Sequence, residues 1–342
     1  MADYHHRKFI LPDRSYQGLV RSELRKMAEG SGFKGHRLGE IEIIIAEITS
    51  NLVKHAIKGA FILARSLNDA GGGIEMIAID HGPGMRMMAK MMEDGHSTKK
   101  TLGQGLGAIR RLSNVFDMYS LAGWGTVLFS RSYIEKDFET SSNTLTVETL
   151  CVAKKDQIVC GDAWSINTEG RFLRIAMIDG LGHGSAAHEA ATLAVDKLKL
   201  HRKNGPTEWL RVLHEALKKT RGAVITIVQI DRANQQLTYS GVGNISMKMI
   251  SAIGAKGCFS YNGIVGHILP ASLNDHFLQW NEKMDSVIMH SDGISSRWDI
   301  QKYPGILSHH PLVICASLYK DHDRGNDDST ILIAKFAKDG YG

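Results

Sequence analysis

Two apolar runs in this chain each end in an aspartate that is followed by closely spaced glycines. The first run leads to residues 80–84 (DHGPG), and the second leads to residues 179–184 (DGLGHG). Glycines after a strand let the backbone approach a ligand closely, and the aspartate supplies a charged acceptor beside it. The first signature suits a nucleotide, whereas the second, together with three further aspartates, suits divalent metals. A chain that carries both favours a signalling switch over a metabolic enzyme.

The length and composition favour two soluble domains and exclude several classes of protein. The 342 residues are enough for two domains of ordinary size, and the hydrophobic content of 43% supports buried cores. The net charge of +5 comes without a dense Lys/Arg block, which argues against nucleic-acid binding. The four cysteines have no CxxC spacing, so we expect reduced thiols. No signal-peptide core and no bilayer-spanning run is present, which predicts a cytoplasmic protein without membrane insertion.

Hydrophobic periodicity predicts an α/β first part and a second part of strands around a helical pair. In the first part it favours helices at 37–56 and 106–116 and strands at 74–79 and 127–130. In the second part we expect two short strands within 145–160, helices at 186–200 and 207–219, and strands at 172–178, 223–230, 236–240, 246–250, 286–290 and 330–336. The polar, Ser-rich residues 136–143 are the predicted linker between domains at 1–135 and 144–342.

One face of the predicted helix 37–56 carries polar groups that suit phosphoryl transfer. Glu47 and Asn51 are four residues apart, and Lys54 and His55 follow one turn later, opposite the isoleucine stripe. A glutamate can act as a general base, and an asparagine is a neutral oxygen ligand for Mg²⁺ beside phosphates. Taken alone, the same pattern is typical of a solvated polar helix face.

The segments that follow strengthen the nucleotide interpretation. Asp80 ends a strand where it could accept the exocyclic amine of adenine, and Gly82 and Gly84 permit close approach of the backbone. Residues 103–107 (GQGLG) open a helix whose backbone N–H groups could cradle phosphate. The order is not that of a Rossmann unit, and the GxxxxGK[ST] motif is absent from the sequence.

In combination, these motifs resemble the GHKL ATP-binding fold, and most specifically the RsbT-type serine kinases of bacterial partner switching. The resemblance covers residues 10–133, through the stretches EIEIIIAEITSNLVKHA, IDHGPGM and GHSTKKTLGQGLGAIRRLSNVFDMYSLAGWGTVL. It implies an ATP-binding α/β sandwich of the Bergerat type. It implies catalytic and binding roles for the base Glu47, the Mg²⁺ ligand Asn51, the adenine contacts Asp80 and Thr126, the glycines Gly82 and Gly84, the lid glycines Gly103, Gly105 and Gly107, and the neighbouring Lys54.

Four aspartates in the second part lie where predicted strands meet turns. They are Asp162, Asp179, Asp292 and Asp327, and the carbonyl of Gly180 is a further candidate ligand. Carboxylate and carbonyl oxygens suit Mg²⁺ or Mn²⁺, and two such ions can activate a water and stabilise phosphoryl oxygens. Any single Asp-Gly pair is more often only a turn. Four in this order, each after an apolar strand, favour a metal site.

This set resembles the PPM-type metal-dependent serine/threonine phosphatases, in the SpoIIE/RsbX branch. The resemblance covers residues 145–338 and implies an α-β-β-α sandwich, so the whole chain is predicted to be α+β. It implies that Asp179 is the catalytic ligand that bridges both metals and that Asp328 supports the ligands. The wider family often has His directly after its Asp-Gly pair as general acid, but this chain has Leu181 there. His183, two residues later, is therefore either the acid or a structural residue.

The two resemblances together imply a bifunctional enzyme that uses ATP and Mg²⁺ or Mn²⁺. Its partners would be STAS-domain antagonist proteins, phosphorylated by the first domain and dephosphorylated by the second. One alternative is a phosphatase whose first domain only senses ATP or docks substrate, and another is a non-catalytic sequestering protein. The resemblance leaves homodimerisation open, since the sequence shows no coiled-coil heptads.

Overall fold

The computed structural model describes residues 5–55, 59–67, 71–85, 102–138, 145–200, 205–251, 253–279 and 284–336. The chain forms two compact units. The first contains residues 1–142 and 308–320, and the second contains residues 143–307 and 321–342. None of the helices in the described ranges is both long enough and apolar enough to cross a membrane.

The first unit is built on an antiparallel sheet of five strands in the order β1-β2-β3-β5-β4. Its elements are β1 (Arg7–Leu11), α1 (Gln17–Gly30), α2 (Gly35–His55), β2 (Ala60–Leu67), β3 (Gly73–Asp80), α3 (Leu102–Leu112), β4 (Val115–Leu121) and β5 (Gly125–Tyr133). The sheet brings the end of β3 beside the start of β5, where Asp80 and Thr126 are paired across the strands.

Both faces of this sheet are buried. On one face, the isoleucine stripe of α2 packs with alternate residues of β2 and β3, such as Ile62 and Met76. The opposite face carries Phe61 of β2 and Phe129 of β5, and residues 308–320 cover it within this unit. Tyr319 contacts the Phe61 ring edge-on, and His310 stacks on Phe129. Burial of both faces explains why β3 is apolar from Ile74 to Ile79 except at Glu75.

The second unit contains two five-stranded antiparallel sheets. Their orders are β13-β10-β9-β8-β7 and β12-β11-β14-β15-β6. The elements are β6 (Leu145–Val152), β7 (Asp162–Glu169), β8 (Phe172–Gly180), α4 (Ser185–Leu200), α5 (Pro206–Leu217), β9 (Ala223–Asp231), β10 (Gln236–Val242), β11 (Ser246–Ser251), β12 (Gly254–Gly257), β13 (His276–Gln279), β14 (Met284–His290) and β15 (Ser329–Phe336). Between β14 and β15 the chain forms α6 (Pro311–His322), whose residues up to Lys320 belong to the first unit.

Two hydrophobic cores hold the second unit together. One joins the inner faces of the two sheets, with Met177 and Val228 from the first and Met289 and Leu332 from the second. The other fills the space between the first sheet and the helices α4 and α5. This layering places the ends of β8, β14 and the start of β15 together, and those positions carry the predicted metal-binding aspartates.

The two-unit α+β organisation predicted from the sequence is confirmed, while several predicted elements were wrong. The predicted helix 106–116 ends at Leu112, because Val115 and Phe116 already belong to β4. The two strands expected within 145–160 are one strand, β6, followed by a loop. The predictions missed β1, α1, β2, β4, β7, β12, β13 and α6. The predicted linker 136–143 lies mostly outside the described residues, and residues 308–320, assigned by sequence to the second domain, group with the first unit.

Candidate functional sites

The first unit contains a cavity of about 230 Å³ between α2 and the sheet. Four of the residues predicted to bind nucleotide line it: Asn51, Asp80, Gly84 and Thr126. Its apolar wall consists of Ile48, Leu52, Ala78, Leu106, Met118 and Leu128. An apolar cavity with a few convergent polar groups at one end is the usual form of a small-molecule site, and it suits a purine ring.

The polar end of this cavity is organised by hydrogen bonds around Asp80. The Gly82 N–H donates to Asp80 Oδ1 over 2.7 Å, which fixes the carboxylate at the strand end. Beside it, the hydroxyls of Thr126 and Ser120 lie 3.0 Å apart, and the Ser120 hydroxyl donates to the Gly125 carbonyl over 2.8 Å. The Asp80 carboxylate and the Thr126 hydroxyl are therefore presented together from neighbouring strands.

Two glycines of the predicted motifs are required by close packing. Gly84 has a φ of +64°, and a Cβ there would collide with the Leu121 carbonyl. A Cβ on Gly105 would collide with the Glu47 carboxylate, which puts that carboxylate directly against the first turns of α3. The Glu47 side chain is half-buried, yet it does not line the cavity itself.

The remaining predicted nucleotide residues are not brought to the cavity wall. Lys54 is exposed near the end of α2, Gly82 is buried against the His55 carbonyl, and Gly103 and Gly107 lie within α3. Residues 95–100, which begin the third matching stretch (GHSTKK), lie outside the described residues. Sequence reasoning missed the apolar wall, whose residues belong to the same periodic stripes that indicated core helices and strands.

The second unit gathers the four predicted metal-binding aspartates. Asp162 and Asp179 are directly opposite each other on β7 and β8. Asp179, Asp292 and Asp327 line a cavity of about 330 Å³ together with Gly182. Burial and then the charges of Asp162, Asp292 and Asp327 raise the pKa of Asp179 well above its ordinary value. The four carboxylates are therefore close enough to repel one another.

The chemistry of this cluster fits a divalent cation. Burial, together with the charges of Asp328 and Asp292, raises the pKa of Asp162 to about 7. Its Oδ2 is buried and accepts no hydrogen bond from the described residues. Within the same part of the chain, no three His, Cys, Asp or Glu side chains converge closely enough to enclose a metal ion. The carboxylates are thus near one another without converging on a single metal position, and a hard cation would relieve their repulsion.

Neighbouring groups hold the acidic loops in place. The Asp328 carboxylate accepts hydrogen bonds from the backbone N–H groups of Lys154 at 2.8 Å and Gly161 at 2.9 Å. The Asn244 amide donates to Asp292 Oδ2 over 2.9 Å. Asn244 and Asn262 also line the cavity, and neither was predicted from the sequence.

The glycine and histidine of the DGLGHG motif have different surroundings. Gly180 is packed so tightly that a Cβ would collide with the Ala187 carbonyl, and its N–H donates to the Gly161 carbonyl over 3.1 Å. His183 is exposed just before α4 and does not line the cavity. The general acid of the predicted phosphatase thus stays unassigned.

Comparison with known proteins gives each unit a relative. Residues 12–129 match the family described as the histidine kinase-like ATPase domain. The serine/threonine-protein kinase RsbT of Bacillus subtilis (strain 168) is 36% identical over 102 residues, which cover 30% of this chain and 77% of RsbT. The phosphoserine phosphatase RsbX of the same organism is 28% identical over 144 residues, 42% of this chain and 71% of RsbX.

A solved structure of RsbX in complex with magnesium is also similar to this chain. It is 23% identical, covers 58% of this chain and 98% of its own, and has a TM-score of 0.49. The predicted GHKL fold and PPM fold are confirmed for the first and second units. Through its first unit the chain belongs to the RsbT family of serine/threonine kinases within the histidine kinase-like ATPases, and it continues into a PPM-type serine/threonine phosphatase domain related to RsbX.

Proposed function

We propose that this chain is a bifunctional partner-switching enzyme that phosphorylates and dephosphorylates serine or threonine on STAS-domain regulator proteins. One observation carries the proposal: a single chain holds both a cavity with Asn51 and Asp80 and a separate cluster of four aspartates. The relationship to a kinase and to a phosphatase supports opposed activities in the domains 1–135 and 144–342. We extend the proposal to a cytoplasmic location.

In the kinase half, catalysis would depend on positioning and electrostatics. The apolar wall would hold the adenine ring, and the Asp80 carboxylate would accept its exocyclic amine with Thr126 alongside. Asn51, also on the cavity wall, would hold the Mg²⁺ that neutralises phosphate charge. Glu47, four residues earlier on α2, would accept the proton of the substrate hydroxyl.

In the phosphatase half, Asp162, Asp179, Asp292 and Asp327 and the Gly180 carbonyl would hold Mg²⁺ or Mn²⁺. When bound, the metals supply a water of lowered pKa and charge compensation for the phosphoryl oxygens. The burial of Asp162 and the shared cavity of the other three carboxylates support this assignment. Asp328 would orient the loop at 154–161 through its two backbone hydrogen bonds.

A second candidate function keeps only the phosphatase as an enzyme and makes the first unit an ATP sensor. Glu47 and Asn51 are both present on α2, which argues for catalysis rather than sensing. Glu47→Ala separates the two functions. If the first unit is a kinase, the variant should lose phosphoryl transfer and keep ATP binding. If it only senses ATP, wild type itself should transfer no phosphoryl group, and ATP binding should be the same in both proteins.

The test of the bifunctional proposal traps the phosphorylated product. Full-length Asp179→Asn protein is incubated with γ-labelled ATP, Mg²⁺ and STAS-domain proteins encoded near its gene. We expect label to accumulate on a STAS-domain serine or threonine and to be removed when wild type and Mn²⁺ are added. Asp196→Asn, an exposed aspartate on α4, is the matched control and should behave as wild type. If no STAS-domain protein is labelled while wild type still dephosphorylates one, the first unit is a sensor.

A further inference from the structure

The DGLGHG loop of the second unit lies against the turn that precedes β9. Asp179 and Gly180 are paired with Val224 and Ala223 across β8 and β9, so the two strands continue directly into these loops. The Leu181 N–H donates to the Gly222 carbonyl over 3.0 Å. The residue that precedes Gly222 is therefore held next to the DGLGHG loop.

That side chain is Arg221. One of its guanidinium nitrogens, Nη1, lies 2.9 Å from the point where a Gly182 Cβ would sit, and Gly182 lines the metal cavity. The Arg221 side chain is exposed, and among the described residues it has no carboxylate or hydrogen-bond partner. Arg221 thus lies next to the rim of a cavity lined by Asp179, Asp292 and Asp327 without pairing with any of them, which leaves the guanidinium available for a ligand.

The turn that carries Arg221 has a fixed backbone. The Thr220 hydroxyl donates to the Leu217 carbonyl over 2.8 Å and accepts from the Gly222 N–H over 3.0 Å. Gly222 has a φ of +75°, and a Cβ there would collide with the Val265 carbonyl and the His267 ring. Such a turn fixes the backbone of Arg221 before a ligand arrives, so that only its side chain loses freedom on binding.

Charge balance indicates which ligand the guanidinium would meet. By the proposed function, two divalent cations neutralise the four carboxylates of Asp162, Asp179, Asp292 and Asp327. A phosphomonoester dianion that entered the cavity would then have two uncompensated negative charges. A planar guanidinium can donate two parallel hydrogen bonds to phosphoryl oxygens, and the Asn262 amide on the cavity wall offers a further donor.

We propose that Arg221 binds the phosphoryl group of the phosphoserine or phosphothreonine substrate at the phosphatase site. This inference rests on the proposed function of that site and adds the residue that recognises its substrate. Arg221 would act on substrate affinity, whereas the aspartates would hold the metals. Loss of Arg221 should therefore weaken phosphate binding and leave metal binding unchanged.

The experiment compares Arg221→Ala and Arg221→Lys with wild type as full-length, Mg²⁺-loaded proteins. Calorimetry with inorganic phosphate, with ADP filling the nucleotide cavity, measures affinity without turnover. We expect about 10- to 100-fold weaker phosphate binding for Arg221→Ala, the range for loss of a charged hydrogen-bond partner. Arg221→Lys should recover part of the affinity, because lysine keeps the positive charge but cannot donate the two parallel hydrogen bonds of a guanidinium. With p-nitrophenyl phosphate, KM should rise by a similar factor while kcat changes little.

The matched control is Arg211→Ala, which removes the same charge from the exposed side of α5, away from the cavity wall. It should bind phosphate and Mg²⁺ as wild type does. Equal phosphate affinity in Arg221→Ala and wild type would overturn the inference, as would an equal loss in Arg211→Ala or a parallel loss of Mg²⁺ affinity. Failure of the proposed function has a different signature, because wild type would then release no phosphate from any phosphoprotein whatever residue 221 is.

Discussion

Each unit of this protein places carboxylates on the strands of an antiparallel sheet, but their charged surroundings are opposite in the two units. In the first unit, Glu75 on β3 has a fully buried side chain and three basic partners. His6 Nε2 lies 2.9 Å from its Oε1, Arg131 Nη2 donates to its Oε2 over 2.7 Å, and Arg65 forms a third ion pair. Burial raises the pKa of Glu75, but the charges of Arg65 and Arg131 outweigh it and hold that pKa well below its ordinary value.

In the second unit, Asp162 is buried and Asp179 half-buried beside other carboxylates, and no basic side chain of the described residues pairs with either. Burial and like charge act in the same direction there and raise both pKa values. These opposite pKa shifts show that burial alone does not distinguish a structural carboxylate from a functional one. The charge of the neighbours does, because a compensated acid stabilises the fold and an uncompensated cluster stabilises a bound cation.

The largest expected effect is that of Asp179→Asn, which removes the central carboxylate of the uncompensated cluster. Phosphatase activity should fall by about a thousandfold or more, since Asp179 is the metal ligand on which the proposed function depends for transition-state charge stabilisation. Metal-free protein should become more stable, because one of the mutually repelling charges is gone. Phosphate release and thermal unfolding in chelator measure the two effects. If metal-free Asp179→Asn were instead less stable than wild type, the aspartates of the second unit would not be an uncompensated cluster.

Glu75→Gln should have the opposite effect on stability. It leaves Arg65 and Arg131 without their shared carboxylate at a buried position, which costs about 3–5 kcal/mol. Hydrogen exchange of the β2, β3 and β5 amides in increasing denaturant reports on this unit. Glu23→Gln is the control, because Glu23 forms exposed ion pairs with Lys26 and Arg7 and should leave stability unchanged. An unchanged exchange rate in Glu75→Gln would remove the distinction between the two kinds of acid.

Asp328 is the intermediate case, a buried carboxylate that is satisfied by neutral backbone donors. Asp328→Asn should retain one acceptor and set its amide group against the other backbone N–H, at a cost of about 1–3 kcal/mol. Asp156→Asn is the matched control in the same loop, because Asp156 is exposed and has a φ of +66° that asparagine tolerates. Equilibrium unfolding of the two variants is the measurement, and equal stability would mean that the Asp328 hydrogen bonds contribute little.

The sequence predicted the fold class and most of the regular elements because they follow hydrophobic periods. It failed where burial hides the period. Residues 311–319 of α6 are buried on every side, so they show no amphipathic stripe. β7 failed for the opposite reason, since this edge strand is mostly polar and half-exposed. Val115 and Phe116 continued the apolar pattern of α3, although a turn at 113–114 separates them from it.

For the sites, sequence indicated the groups that carry charge and missed the groups that compensate it. The aspartates stand out because each lies at a strand end beside a turn, although the expectation that each follows a strand was wrong: Asp162 begins β7, and Asp327 lies in the loop before β15. Glu75 gave no such signal, since its partners are 69, 10 and 56 residues away along the chain. Arg221 also gave no local sequence signal, because only the pairing of β8 with β9 brings it to Gly182. Contacts of this kind are fixed by strand register, which local patterns do not encode.

The pH dependence of stability tests whether Glu75 is stabilised in its charged form, and it is the smallest of the expected effects. The ordinary pKa of Glu75 is 4.5 and its pKa in the folded protein is well below this. The unfolded chain therefore takes up a proton first as the pH falls, so the stabilisation by Glu75 is complete above about pH 4.5 and declines below it. Below about pH 4.5 the stability difference between wild type and Glu75→Gln should shrink, by at most about 1.4 kcal/mol per pH unit. A difference that grew with acidification in that range would mean that the charged form of Glu75 is not the one that its arginines stabilise.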